Sequence, residues 1–412
     1  MNIFKNNSGS TNNTKHILYG HFLLFFIGRN LSIIGSSMTP IALTLGVLSA
    51  TGSITETGIF AASGIIPTLI LMLFGGIASN RFSKGTILFF SHIINSLLLL
   101  YMGILLMNNN YDRISMIILN ILSGAISGFT SPALRSIIPD IVDPSNLQKA
   151  NALLSSSRSL VRLGSPLLAG ILFSSVGGGV TIIIDAITSA ISAIIFLNIP
   201  SSSMLEKKES ILSYLRADFK YFFTTKWLLI SSVSFSVINA LNVAPFQILG
   251  SSIVVPAIGA FSWGIILTGR TFGMFLFSTI LYKIDFKYPL IYGRILGGLT
   301  VLPLFGFSFS HNLFILTFFA FMGGIGFSAI NITYDSTLQR KIPKENLSGV
   351  MAIDDILAFS AIPVMQLGIG PLADLLGKEI VSLWCGIGML IAILSPLLFY
   401  NMLKLDRKSM GG

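Results

Sequence analysis

One aspartate and five arginines in this chain sit where ionisable groups are costly, inside long apolar runs. Asp185 falls in the run 179–198, Arg29 in 17–46, Arg158 and Arg162 in 147–173, Arg270 in 258–282 and Arg294 in 289–309. At membrane depth such groups pair or face water, and so mark pathways by default. At 1.5 Å per residue, Arg29 lies about 18 Å, Arg158 about 16 Å and Arg162 about 22 Å along their helices, and Asp185 about 20 Å in from the opposite face. The four depths coincide, and Arg158 and Arg162, four apart, share one helical face. The expectation is an ion pair of Asp185 with Arg162 or Arg158, with Arg29 nearby or facing a cavity. Such a pair either fixes helix packing permanently or takes part in function, and buried pairs are not reliably stabilising. Proton coupling needs a carboxylate or histidine whose affinity for the proton changes as access alternates. Asp185 is the mid-depth acidic candidate. Asp335, Glu56 and the four histidines, His16, His21, His92 and His311, fall at or near span ends and read as anchors or solvated groups.

The elements that must position these groups are roughly twelve apolar runs of about 20 residues, each long enough to cross a hydrocarbon core. The remaining runs are 54–79, 85–107, 114–138, 227–255, 313–338, 349–373 and 379–403. Backbone amides in lipid pair within their own segment, and no run alternates like a barrel strand, so an all-α integral membrane protein follows. Composition agrees, with 53% hydrophobic and 10% charged residues, too little polar surface to coat a soluble body. The +10 net charge gathers in loops that follow even-numbered spans, which puts those loops and both termini in the cytoplasm. It is no nucleic-acid footprint, because the basic residues are scattered and interleave with no aromatic platform. Residues 1–16 read as a polar cytoplasmic tail. The lone Cys385 excludes an intrachain disulfide and a cysteine metal cage. Neither a phosphate-binding Gly-x-x-x-x-Gly-Lys element nor a His-Glu-x-x-His helix nor a Ser/His/Asp set is present, so no enzyme, metal or cofactor is expected.

The chain divides into a six-span body 17–199, a polar linker 200–226 that reads as cytoplasmic with an amphipathic helix, and a second six-span body with a tail, 227–412. The halves echo each other. Ile138-Pro139 and Leu147 open span five as Ile342-Pro343 and Leu347 open span eleven, and Ser165-Pro166-Leu167-Leu168-Ala169 matches Gly370-Pro371-Leu372-Ala373. A parallel six-plus-six repeat is the plan of major facilitator transporters, two pseudo-symmetric bundles with the substrate site between them. The stretch SGAISGFTSPALRSIIPDIVDPSNLQKANALLSSSRSLVRLGSPLLAG, with IDAITSAISA, resembles the helix-four-to-six signature of the macrolide-efflux and enterobactin-exporter branch of that superfamily. Thr51-Gly52-Ser53, Gly75-Gly76 and LSGVMAIDDILAFSAIPVMQLGIGPLADLLG resemble the same branch, so the similarity spans nearly the whole chain. It implies a multi-pass exporter of the bacterial plasma (inner) membrane.

The resemblance also assigns roles. Gly76, Asn80, Arg81 and Lys84 are similar to the loop that braces the cytoplasmic ends of the halves, with Asn80 where the family has aspartate. Arg81 is expected to meet Asp354 or Asp355 across the halves when that side is shut, and Asp140 within one half. Gly164, Pro166 and Gly170 partly resemble the helix-five antiporter element, whose small residues let a backbone approach and whose proline can kink the helix. Many members of the branch carry an acid after a glycine in helix one, where this chain has Gly35-Ser36-Ser37. Helices one, four, seven and ten line the cavity in this fold, which nominates Arg29, Ser32, Ser36, Asn120, Asn239, Asn242, Gln247, Asn331 and Tyr334. Polar neutral groups among Phe and Met side chains suit an amphipathic molecule of several hundred daltons. Few cavity acids and several arginines disfavour a strongly cationic cargo; Arg270 could answer a substrate carboxylate, and Arg294 could snorkel to headgroups. The expected function is secondary active export of a drug- or macrolide-like molecule by proton antiport. Alternatives are a dedicated siderophore or secreted-metabolite exporter, or a passive lipid scramblase or channel. The expected partners are the small-molecule solute, protons and the lipid bilayer, with the chain a monomer.

Overall fold

Every regular element of the computed structural model is helical among the residues it describes, which are 20–108, 110–142, 147–199, 211–281 and 286–399. The first six membrane helices are α1 Gly20–Thr51, α2 Ile54–Arg81, α3 Lys84–Met107, α4 Arg113–Ser136, α5 147–176 and α6 178–197. The second six are α7 Lys226–Ile258, α8 Ala260–Leu281, α9 Pro289–Phe309, α10 Leu313–Lys341, α11 Lys344–Leu376 and α12 Lys378–Phe399. A further helix, Ile211–Thr224, lies between the two sets. Among the described residues, eleven continuous helices are long and apolar enough to cross a membrane, and one of them breaks at Gly177 into α5 and α6, which gives twelve crossings.

The joints repeat between the halves. The α1–α2, α5–α6, α7–α8 and α11–α12 turns each hold a glycine at positive φ: Gly52 at 63°, Gly177 at 81°, Gly259 at 88° and Gly377 at 86°. A side chain there would meet its own backbone, so glycine reverses a helix within one residue at these points. All four turns lie at the same end of the bundle, here called the glycine-turn end; the Arg81–Lys84 loop lies at the other, basic end. The starts of α4 and α10 also correspond. Asp112 accepts a hydrogen bond from the Ser115 amide at 2.8 Å, and Asn312 accepts from the Phe314 amide at 2.9 Å, each a side-chain cap on an exposed helix N-terminus. The Ser115 hydrogen bonds hold the Asp112 carboxyl below the usual carboxylate range. Beside it, burial and then the bond to Glu56 push the Tyr111 phenol up, so it stays a donor to Glu56 at 2.8 Å.

Contacts that join the two halves gather at the glycine-turn end. Thr55 of α2 donates to Asp374 of α11 at 2.8 Å. A Cβ on Gly58 would meet the Gln366 carbonyl, and one on Gly370 would meet the Thr55 backbone. On the opposite side, a Cβ on Gly170 of α5 would lie 2.9 Å from the Gly264 Cα of α8. At the basic end, the core of Phe22, Phe25, Leu88, Ala133, Ile137, Ala150, Leu154, Phe196 and Ile199 is built from first-half residues alone, among those described. The halves therefore meet through small residues at one end and keep separate buried cores at the other.

Candidate functional site

The site starts from a stripe on α6. Asp185, Ser189 and Ser192 recur at helical spacing and face α1, where Gly28, Ser32, Gly35 and Thr39 form a matching stripe of small and hydroxyl residues. Ser192 donates to the Gly28 carbonyl at 2.9 Å. Gly35 is the room beneath the carboxylate: a Cβ there would land on Asp185 Oδ1 and Thr188 Oγ1. Asp185 is 1% exposed and accepts from the hydroxyls of Thr39, Thr188 and Ser189. Burying a carboxylate without such donors costs several kcal/mol or more. The three hydroxyls compensate it without a fixed counter-charge.

That arrangement corrects the expected Asp185–arginine pair. Among the described residues, no arginine is a hydrogen-bond or ion-pair partner of Asp185. Arg162 is exposed, and Arg158 is half-buried on α5. Matching depth is not enough for contact: α6 turns its acidic face to α1, because the glycine at 35 lets the two helices close over the side chain. Arg29 lies on the α1 side, half-buried, and lines a pocket.

Asp185 opens onto a cavity of about 370 Å³. Its polar wall includes Ser36, Thr39, Thr44, Thr68, Asn95, Asn120, Ser123 and Ser127, and its apolar wall Leu43, Phe60, Ile65 and Leu99. Asn120 donates to the Phe60 carbonyl at 2.7 Å and to Ser63 at 3.0 Å. Ser123 donates to Asn95 at 2.6 Å. The second half contributes Gln247 and Gln366. Gln247 sits in a π-helical turn, Pro245–Leu249, where the missing proline N–H loosens the helix ladder. From there its amide reaches α1, donating to Thr44 Oγ1 at 3.1 Å and to the Pro40 carbonyl at 3.4 Å. Gln366 is buried, with no partner for its Oε1. A second pocket of about 250 Å³, lined by Arg29, Ser32, His92, Thr130, Ser131 and Ser189, shares Ser36, Asn95 and Ser127 with the first. The two form one path from Asp185 toward the basic end.

Ser32, Ser36, Arg29, Asn120 and Gln247 thus line the path. Asn239, Asn242, Asn331 and Tyr334 are not in its wall. Asn239 donates to the Ala358 carbonyl at 3.2 Å, joining α7 to α11, and Asn331 donates back to Phe327 of its own helix at 2.7 Å. Tyr334 stacks on Phe235 at 4.4 Å and donates to Asp354 at 2.7 Å. Ser232 also donates to Asp354, so this carboxylate is held inside the second half, buried rather than presented to the first. Asp355 is exposed beside it. Asp140 is held by Lys84, at 2.8 Å with both side chains over nine-tenths buried. α2 runs through Gly76, Asn80 and Arg81, whose side chains lie outside the described residues. Of the helix-five element, Pro166 and Gly170 meet Gly264 of α8, whereas Gly164 has open space around it.

The deep arginines of the second half take neutral partners. The Arg270 guanidinium lies 4.0 Å over the Phe246 ring and 5.5 Å over Phe327, and donates to Asn242 at 2.9 Å. Arg294 does not snorkel. It is 1% exposed and donates to Ser234 at 2.9 Å and to the Ile393 carbonyl at 3.1 Å, because α9 faces it inward against α7 and α12. Sequence reasoning placed His92 near a span end, whereas it is buried in α3, and passed over Asn95, Thr39 and Ser123. The signal for them was the spacing of hydroxyl, amide and glycine residues along α1, α3, α4 and α6.

With this geometry in place, the comparisons are direct. The Major Facilitator Superfamily profile matches residues 25–363, and the chain belongs to that superfamily. It is 25% identical over 308 residues to the Uncharacterized MFS-type transporter YvqJ of Bacillus subtilis (strain 168), covering 71% of each chain. To YfmI of the same organism, an Uncharacterized MFS-type transporter, it is 24% identical over 381 residues, covering 85% of this chain and 90% of YfmI. Among solved structures it is similar to a variant of the nucleoside transporter NupG, with a TM-score of 0.79 at 13% identity over 93% of this chain and all of that one. The chain is a multi-pass membrane transporter of the major facilitator type, with the twelve-helix fold expected of it.

Proposed function

We propose that this protein is a secondary active exporter of an amphipathic organic small molecule, working by alternating access and exchanging its cargo for protons. The observation that carries the reading is a buried carboxylate, Asp185, solvated by three hydroxyls and open to a cavity of about 370 Å³. A carboxylate with a fixed arginine stays ionised through a cycle; one held by hydroxyls can take up and release a proton as its access changes. The cavity wall supports the cargo class. Its apolar face at Leu43, Phe60, Ile65 and Leu99 stands opposite amides and hydroxyls, as an amphipathic molecule requires. Lys and Arg in the basic-end loops favour placing that end in the cytoplasm of a bacterial cell, by the positive-inside bias. On that orientation, the contacts of Thr55, Gly58, Gly170 and Gly370 shut the outer side, and the conformation is inward-facing. Export rather than uptake rests on the resemblance to the macrolide-efflux and enterobactin-exporter branch and on Pro166 and Gly170 at the α5–α8 contact.

Everted vesicles test the reading with a panel of radiolabelled solutes, erythromycin among them. Uptake should collapse on addition of a protonophore. Asp185→Asn should abolish gradient-driven uptake and leave counterflow exchange of the same solute. Equal uptake with and without a proton gradient would replace antiport by a passive path.

A further inference from the structure

We propose that His92 is a second proton-carrying group of the cycle, exchanging protons with Asp185 across the pocket bounded by Ser32 and Ser189. The inference rests on the reading of Asp185 as the coupling carboxylate and deepens it.

His92 lies in the body of α3, 6% exposed, with its ring edge-on to Phe196 at 4.9 Å between centroids. Its Nδ1 is 2.9 Å from the Leu88 carbonyl. A carbonyl only accepts, so Nδ1 holds a hydrogen whether the ring is neutral or charged. Titration therefore belongs to Nε2, which lies 3.0 Å from the Ser32 hydroxyl. A hydroxyl serves both states: it donates to a bare Nε2 and accepts from Nε2–H. The ring can gain or lose a proton without leaving a buried nitrogen unpaired.

The pocket supplies the route. His92 and Ser189 line the same space of about 250 Å³, and Ser189 donates to Asp185 Oδ1 at 3.3 Å. A polar space of that size holds several water molecules. The groups that share the pocket with His92 are Arg29 and Ser32 from α1, Ser91 and Asn95 from α3, Thr130 and Ser131 from α4 and Ser189 from α6; Arg29 is the charged one among them. In the transfer, the Asp185 carboxyl O–H breaks and its proton passes to water in the cavity it lines, which joins the His92 pocket at Ser36, Asn95 and Ser127, while the Nε2 lone pair takes a proton from water there to form N–H. Loss of this proton to water at the basic end returns the neutral ring. Histidine suits the step because one ring nitrogen can gain and lose a proton while the other keeps its hydrogen.

Imidazole-labelled full-length protein in lipid nanodiscs gives a readout that needs no cargo. The chain has four histidines, and the His92 signals are those lost in His92→Gln. Should that variant fail to insert, His16→Gln, His21→Gln and His311→Gln identify them by subtraction. Nδ1 should stay protonated throughout, and Nε2 should titrate with a midpoint inside the window from about pH 4 to 9. The midpoint should move by about half a pH unit or more in Asp185→Asn. A ring silent from about pH 4 to 9, or a midpoint the same in Asp185→Asn, overturns the relay. Paired with the vesicle assay, the two failures separate. A silent ring in a protein whose uptake collapses with protonophore removes the relay alone, whereas uptake indifferent to protonophore removes the coupling reading and the relay with it.

Discussion

Asp185 shows how a deep carboxylate is kept without a cation. Its donors are short hydroxyl side chains on α1 and on its own helix, and the space for it is the absent side chain of Gly35. Gly35→Ala should push a methyl into the carboxylate and Thr188, and overpacking of this kind costs about 1–3 kcal/mol. The expected outcome is a lowered Tm in detergent together with lost gradient-driven uptake; a variant with unchanged Tm and transport would show that α1 and α6 do not close here as described. Position along the helix was readable from the sequence for Asp185 and the arginines. Azimuth was not, because the direction a helical side chain points depends on which neighbour the helix packs against. That is why Arg294, a snorkelling residue by position, is buried against Ser234 and the Ile393 carbonyl.

Between elements, the basic end of the first half is tied by Lys84 at the start of α3 and Asp140 in the short turn Ile138–Ile141. Both side chains are withdrawn from water, so removing one partner strands the other. Lys84→Met should destabilise the protein by about 3–5 kcal/mol, and Lys84→Met combined with Asp140→Leu by clearly less, since a buried pair can be exchanged for apolar groups at little net cost. Thermal unfolding of the three proteins checks this, and a double variant no better than the single would show that the pair is not isolated from other charges. The sequence marked both residues as parts of a cytoplasmic gate. It expected Asp140 to meet Arg81, whose side chain lies outside the described residues; the bond from Lys84 was not foreseen, because the family loop was read as a motif and not as a geometry.

For the whole molecule, the glycine contacts at the glycine-turn end are the surface on which the halves close. Gly170 and Gly264 bring α5 and α8 together, and Gly58 and Gly370 do the same for α2 and α11. Gly170→Leu should wedge that end apart and shift the population toward the opposite-facing state. A cysteine at cavity-lining Ser36, in a Cys385→Ser background, reports the shift: labelling by a membrane-impermeant maleimide from the glycine-turn side should rise at least several-fold. Unchanged labelling would mean that this contact does not set access.

The sequence by itself determined the helices, their number, their ends to within a few residues and the six-plus-six repeat. Each of these follows from local rules: apolar length against bilayer thickness, glycine and proline at the joints, and charge in the loops. It also named much of the cavity on α1, with Asn120 and Gln247. Only the tertiary structure decided that Asp185 is held by hydroxyls, that Asp354 and Tyr334 belong to the interior of the second half, and that His92 shares the pocket through which Asp185 could reach the basic end. Those facts turn on how helices far apart in the chain rotate against one another, and rotation is set by the packing of small residues at contacts that no single segment contains.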